Sequence, residues 1–144
     1  MTVAAVVTEH ARLAETWFGT AWAGGDVSIA DQVFAPDFVL NGKQVGPEGP
    51  RRSVRGVHKA FSDIEVDLDL VVTDGVHVVT HYTTTARHTG TYRGVPASGN
   101  RIHVSGIVIW EVHDGLVRRD WNVFDTGEVI AQITAPHPPT GDDK

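Results

Sequence analysis

The hydrophobic period of this chain changes once, near residue 62, and that change limits the possible folds more than any other feature. Before it, apolar residues recur at helical spacing. Val6, His10, Leu13, Trp17 and Ala21 share one face of a segment from Val6 to Trp22, which Gly24-Gly25 ends. Asp26 then caps a short helix, VSIADQVF, which Ala35-Pro36 closes. Phe38-Val39-Leu40 reads as a strand or turn edge, and a Gly/Pro-rich loop, NGKQVGPEGP, follows. Pro50 opens a third helix with Val54, Val57 and Phe61 on one face. Beyond it the period is two. In IEVDLDLVVT, Ile64, Val66, Leu68 and Leu70 point inward, and Glu65, Asp67 and Asp69 point outward as a solvated face. Thr73-Asp74-Gly75 makes a turn, Val76 to Thr89 a long strand, and Arg101 to Val112 another. Asp114-Gly115 leads into a last strand, Leu116 to Asp125, and GEVIAQI is a final short helix. Helices first and antiparallel strands second define an α+β chain with helices packed on one face of a bent sheet.

With 144 residues, the chain fits one domain, expected over residues 1–133, with a Pro-rich polar tail over residues 134–144. Twelve basic against 18 acidic residues give a net charge of −6, which argues against a nucleic-acid or anionic-membrane partner. The absence of Cys excludes disulfides, thiol nucleophiles and zinc–thiolate sites. No apolar run approaches a membrane span, and the start lacks the basic and apolar regions of a signal peptide, so a cytoplasmic protein is expected. Eight His residues raise the question of a metal. His77 and His81 have chelating spacing on a helix, but on a strand four residues span roughly 13 Å, too far for one ion. His103 falls on an outer face, and His113 flanks a turn. No dinucleotide fingerprint stands in a strand–turn–helix setting, so no cofactor is expected. Arg51, Arg52 and Arg55 form a basic cluster that reads as a solvated face or a contact for an acidic partner.

The last hairpin sets a register. Taking Asp114-Gly115 as a two-residue turn, strict alternation opposes His113 to Leu116, Glu111 to Arg118, Trp110 to Arg119 and Val108 to Trp121. The more apolar face then carries Val104, Gly106, Val108, Trp110 and Val112 with Val117, Arg119, Trp121, Val123 and Asp125. An inward Asp125 would lose hydration and gain a raised pKa, suiting it to acid/base work. The alternative is that Asp125 caps the helix that begins beside it. Arg119 is a candidate partner for an enolate oxygen, or else an ordinary salt-bridge cation. Trp17, Tyr82, Val108, Trp110 and Trp121 are candidate walls of an apolar pocket. His58, on the third helix, and His88, beside a Gly-Thr-Tyr loop, are further candidates.

Several segments in order resemble the SnoaL-like polyketide cyclases, a family with the nuclear-transport-factor-2-like fold. They are Trp22-Ala23-Gly24-Gly25-Asp26, Phe34-Ala35-Pro36-Asp37-Phe38, Gly46-Pro47-Glu48-Gly49, Phe61-Ser62-Asp63, and His88 to Gly99. The hairpin from Asp114-Gly115 to Trp121 and Asp125, and Gln132, complete the set. The resemblance covers about residues 10 to 133 and implies a cone-shaped α+β barrel with an apolar pocket closed by helices, forming a homodimer. It implies a general acid/base Asp near the end of the last strand, to which Asp125 looks equivalent. Where the cyclases carry Gln and His two residues apart, this chain has Val108 and Trp110, a departure that touches the aldol-cyclase assignment. The expected activity is cofactor-free aldol cyclisation of an aromatic polyketide ester. The alternatives are cofactor-free hydroxylation of a polyketide ring by O₂, and ligand binding without chemistry.

Overall fold

The computed structural model describes residues 2–137. Helix α1 (Val3–Thr16) is capped by the Thr2 hydroxyl, which accepts the Ala5 N–H at 3.1 Å. It runs directly into a π-helical segment, Trp17–Ala23. The wider π turn rotates consecutive side chains less far apart, so Trp17 and Phe18 are both buried along with Ala21. The side chain of Val6 and residues 138–144 of the expected tail lie outside the described residues.

A short α2 (Ala30–Val33) follows, and Asp26 accepts the Ser28 N–H at 3.0 Å just ahead of it. Strand β1 (Phe34–Leu40) begins earlier than the Ala35-Pro36 pair predicts. Pro36 sits where the β1 register breaks, between Phe34 and Val39, a position that needs no ladder N–H. Inside the expected loop, Asn41 and Gly42 take φ of 47° and 87° and turn the chain into β2 (Lys43–Gln44). This is an Asn-Gly hairpin turn. Helix α3 (Glu48–Ala60) leads without a gap into β3 (Phe61–Thr73). Strands β4 (His77–His88), β5 (Arg101–His113) and β6 (Leu116–Phe124) and helix α4 (Thr126–Thr134) complete the chain. The sheet order is β2-β1-β6-β5-β4-β3. It is mixed, because β1 runs parallel to β6, which corrects the all-antiparallel expectation. Among the described residues, no helix is long and apolar enough to cross a membrane.

Two bulges break the period-two reading. In β3 the register shifts between Leu68 and Leu70. Leu70 is 55% exposed and Val71 packs against the core instead, so Leu70 does not point inward. In β6 the pairs are His113–Leu116 and Val112–Val117, as expected, but then Glu111–Arg119 and Trp110–Asp120. Arg118 is the extra residue. Strict alternation would bury one of two consecutive arginines; the bulge keeps Arg119 exposed and lets Arg118 reach Asp37 at 3.3 Å. Every side chain of β6 after Arg118 is thereby reversed relative to the strict register.

The main core gathers Trp17, Phe18, Phe34, Phe38, Tyr82 and Trp110. Trp17 meets Phe34 edge-on at 4.7 Å, and Phe18 stacks on Trp110 at 6.0 Å between centroids. Tyr82 lies opposite Gly106 on β5, and a Cβ there would stand 2.3 Å from the Tyr82 hydroxyl. Only glycine lets this ring lie across β5 toward β6. Gly106→Ala is expected to lower stability in urea denaturation by about 1–3 kcal/mol through overpacking. Gly19→Ala, where an added Cβ meets nothing within 4 Å, is expected to leave stability unchanged or raise it slightly.

Candidate active site

The helices and the inner face of the sheet enclose a cavity of about 320 Å³. Its walls are mostly aromatic and aliphatic: Trp17, Phe18, Trp22 and Phe34 from the N-terminal half, and Tyr82, Val108 and Trp110 from the sheet. Helix α3 contributes Pro50, Ser53 and Val57. Asp120 is the carboxyl in this wall. It is 9% exposed, and the Trp110 Nε1–H donates to its Oδ2 at 3.1 Å. Its Oδ1 is buried with no partner. Burial pushes the Asp120 pKa up to about 7, and the Trp110 hydrogen bond opposes this only in part. An acid with a half-free carboxyl that titrates near neutrality can both take and return a proton.

Two neighbours share this wall. The Tyr82 hydroxyl donates to Asn122 Oδ1 at 3.3 Å. Its pKa is pushed up to about 12 by burial first and by the Asp120 charge second, against the Asn122 hydrogen bond. Tyr82 is therefore a neutral donor throughout the working range. With its carbonyl engaged, Asn122 keeps its amide nitrogen as a further donor. The hairpin turn at Asn41 holds this stretch of β6 in place. The Asn41 N–H donates to the Asp120 carbonyl at 2.9 Å, and its side chain accepts the Asn122 N–H at 3.0 Å.

Of the residues expected at the site, Trp17, Tyr82, Val108 and Trp110 line the cavity. The others are placed elsewhere. Asp125 is the exposed N-cap of α4, its carboxylate accepting the Glu128 N–H at 2.9 Å, which is the capping alternative. Arg119 is exposed and stands opposite Glu111, and Trp121 is 40% exposed on the outer face. The bulge at Arg118 accounts for both and turns Asp120 and Asn122 toward the cavity in their stead, Asp120 buried and Asn122 still exposed. His58 is exposed, its Nε2 at 2.7 Å from the Trp22 carbonyl, so it fastens α3 to the helix end and lies outside the cavity lining. His88 is fully buried but also outside that lining, because its Nδ1 accepts the Ser98 N–H at 3.1 Å and fixes the β4–β5 loop. His103 is exposed on the outer face as expected. Asp120 was missed because its inward position depends on one extra residue. The available signal was the Arg118-Arg119 pair, which no strictly alternating strand can keep solvated. Among the described residues, no group of His, Asp or Glu side chains could hold a metal ion.

A family model for SnoaL-like polyketide cyclases matches residues 12–133, and the chain belongs to that family. A search among curated proteins finds no match. Among solved structures, TsrD from Streptomyces laurentii is similar with a TM-score of 0.80 and 28% identity, covering 94% of this chain and 100% of TsrD. A Jannaschia sp. CCS1 protein, provisionally named a SnoaL-like polyketide cyclase, has a TM-score of 0.81 and 22% identity over 95% of this chain and 99% of its own. AclR from Streptomyces galilaeus, provisionally named a hydroxylase, has a TM-score of 0.78 and 23% identity over 94% of this chain and 88% of its own. These likenesses agree with the α+β cone fold expected from the sequence.

The raised pKa of Asp120 has a consequence for stability. Between its ordinary value of 3.8 and about 7, the folded chain holds a proton that the unfolded chain has released. The contribution of this group is therefore most favourable below pH 4, declines as pH rises to about 7, and is flat above that. The full penalty is about 4 kcal/mol at most. Asp120→Asn removes it. In urea denaturation, the stability of the variant relative to the native chain is expected to rise by about 2–3 kcal/mol between pH 5 and pH 8.

Proposed function

We propose that this chain catalyses the intramolecular aldol cyclisation of an aromatic polyketide by acid/base chemistry without a cofactor, with Asp120 as the acid/base. The observation that carries this reading is the buried Asp120 carboxyl. One oxygen is held by Trp110, the other is unpartnered, and the group stands in an otherwise apolar cavity. Family membership supplies the substrate class. Asp120 Oδ1 removes a proton from a methylene flanked by carbonyls. The enolate carbon attacks a ketone carbon of the same molecule, the new C–C bond forms as the C=O π bond opens, and the alkoxide takes the proton back from Asp120. A 1,3-dicarbonyl methylene is acidic enough for a base titrating near 7. The Asn122 amide is the donor for the enolate oxygen, and the aromatic walls hold the chain folded so that the two carbons meet.

The test is mass spectrometry of the products of polyketide ring precursors, with and without O₂. The native chain is expected to give an isomer at unchanged mass. Asp120→Asn is expected to lose this activity by about 10²-fold or more. Asp125→Asn, which keeps a capping side chain, is expected to retain it. A product heavier by one oxygen that forms only with O₂ replaces the reading with hydroxylation. Tight binding without conversion leaves a ligand carrier.

We also propose that the chain works as a homodimer through the outer face of β5 and β6. Ile107, Trp121 and Val123 are 47%, 40% and 74% exposed there, with Ile107 directly opposite Val123. Sedimentation is expected to give twice the 15.6 kDa chain mass, and Val123→Glu is expected to give a monomer. A monomeric native chain overturns the dimer.

A further inference from the structure

The loop between β4 and β5 brings a cation to the cavity. It is pinned at both ends. The Thr89 and Gly90 N–H groups donate to the Ala60 carbonyl, each at 2.9 Å, and the Gly99 N–H donates to the His88 carbonyl at 2.8 Å. Gly90 packs so tightly on the end of α3 that an added Cβ would collide with the Lys59 carbonyl oxygen. Within the loop, Tyr92 and Val95 exchange both backbone hydrogen bonds, at 2.9 and 2.8 Å, around Arg93-Gly94. Arg93 has φ of 47° and Gly94 of 83°, the two left-handed positions of a tight hairpin turn. Asn, Asp or Gly takes the first such position at less cost than arginine. The chain thus holds a long cation at a disfavoured backbone position.

That cation borders the cavity while remaining exposed to solvent. Tyr92 and Arg93 both line the cavity. The Tyr92 ring lies edge-on to Phe61, 5.2 Å between centroids, and the Arg93 guanidinium sits 5.6 Å from the Tyr92 ring centroid. The Arg93 Nε–H donates to the Tyr92 hydroxyl at 3.3 Å. Among the described residues Arg93 has no carboxylate partner, as Arg12, Arg52, Arg87, Arg101 and Arg119 have none, but of these arginines it is the one in the cavity lining. Its remaining N–H donors are free for an anion. The apolar walls would strip water from a ligand, so an anionic group on that ligand needs a protein cation to replace its hydration.

We propose that Arg93 binds an anionic oxygen group of the cavity's ligand, a carboxylate or phenolate, so that the site selects ring acids over neutral esters of the same skeleton. This rests on the reading of the cavity as the substrate site and assigns its substrate an anionic oxygen group where the resemblance implies an ester. A planar guanidinium suits two-point binding of a carboxylate and gains nothing comparable from an ester.

The experiment uses two probes, anthraquinone-2-carboxylic acid and its methyl ester, titrated calorimetrically into the full chain at pH 8. The native chain is expected to bind the acid at least about 10-fold more tightly than the ester. Arg93→Gln is expected to weaken the acid to within about two-fold of the ester while leaving ester affinity unchanged, which also shows an intact cavity. Arg93→Lys, which keeps the charge, is expected to recover part of the preference. Equal affinities in the native chain, a preference for the ester, or an acid preference that survives Arg93→Gln overturns the assignment. So does equal weakening of both probes by Arg93→Gln, which marks a structural role. Binding of neither probe overturns the cavity reading itself, and this inference with it.

Discussion

The hydrogen bond from Trp110 to Asp120 joins the core of this protein to the carboxyl of its cavity. A carboxyl at that depth is costly to keep unless a donor meets it, and Trp110 supplies one from the neighbouring strand. The same indole stacks on Phe18 and meets Phe34 edge-on, so the ring that orients the acid is itself fixed by the N-terminal half. The bond exists because Trp110 and Asp120 are direct cross-strand partners, and they are partners because Arg118 is bulged out of β6. A surface requirement, the solvation of two adjacent arginines, thus decides which acidic residue enters the cavity.

The rest of the site follows from comparably local departures. The π-helical segment brings two consecutive aromatic rings, Trp17 and Phe18, to the cavity wall. Gly106 leaves the space through which Tyr82 crosses to Asn122. The Asn41-Gly42 turn grips β6 at the Asp120 carbonyl and the Asn122 N–H, which ties the edge of the sheet to this stretch of the cavity wall. The π-helical segment lines the cavity directly, and the other two devices hold residues that line it, Tyr82, Asp120 and Asn122.

Much of this was legible in the chain. The change from helical to alternating spacing located the long strands and the final helix to within a few residues. The Asp114-Gly115 turn was correctly read, and the pairs nearest to it hold. The inward side of β5 was read correctly too, because Val108, Trp110 and Val112 alternate without interruption. The inward side of β6 was not, because alternation carries no mark of an inserted residue, and a shift of one reverses every later side chain. Leu70 in β3 was misplaced in the same way. The parallel pairing of β1 with β6 joins segments about eighty residues apart, beyond the reach of any local pattern.

What the sequence determined by itself was the α+β class, the family, the order of elements and an apolar cavity walled by Trp17, Tyr82, Val108 and Trp110, since periodicity and turn chemistry are local properties. Only the tertiary structure decided that Asp120 stands inside while Asp125 caps a helix, that His88 is a buried tether, and that Arg93 reaches the cavity. Those outcomes depend on which strand lies beside which and on where a register slips, and both are settled by packing across the whole sheet.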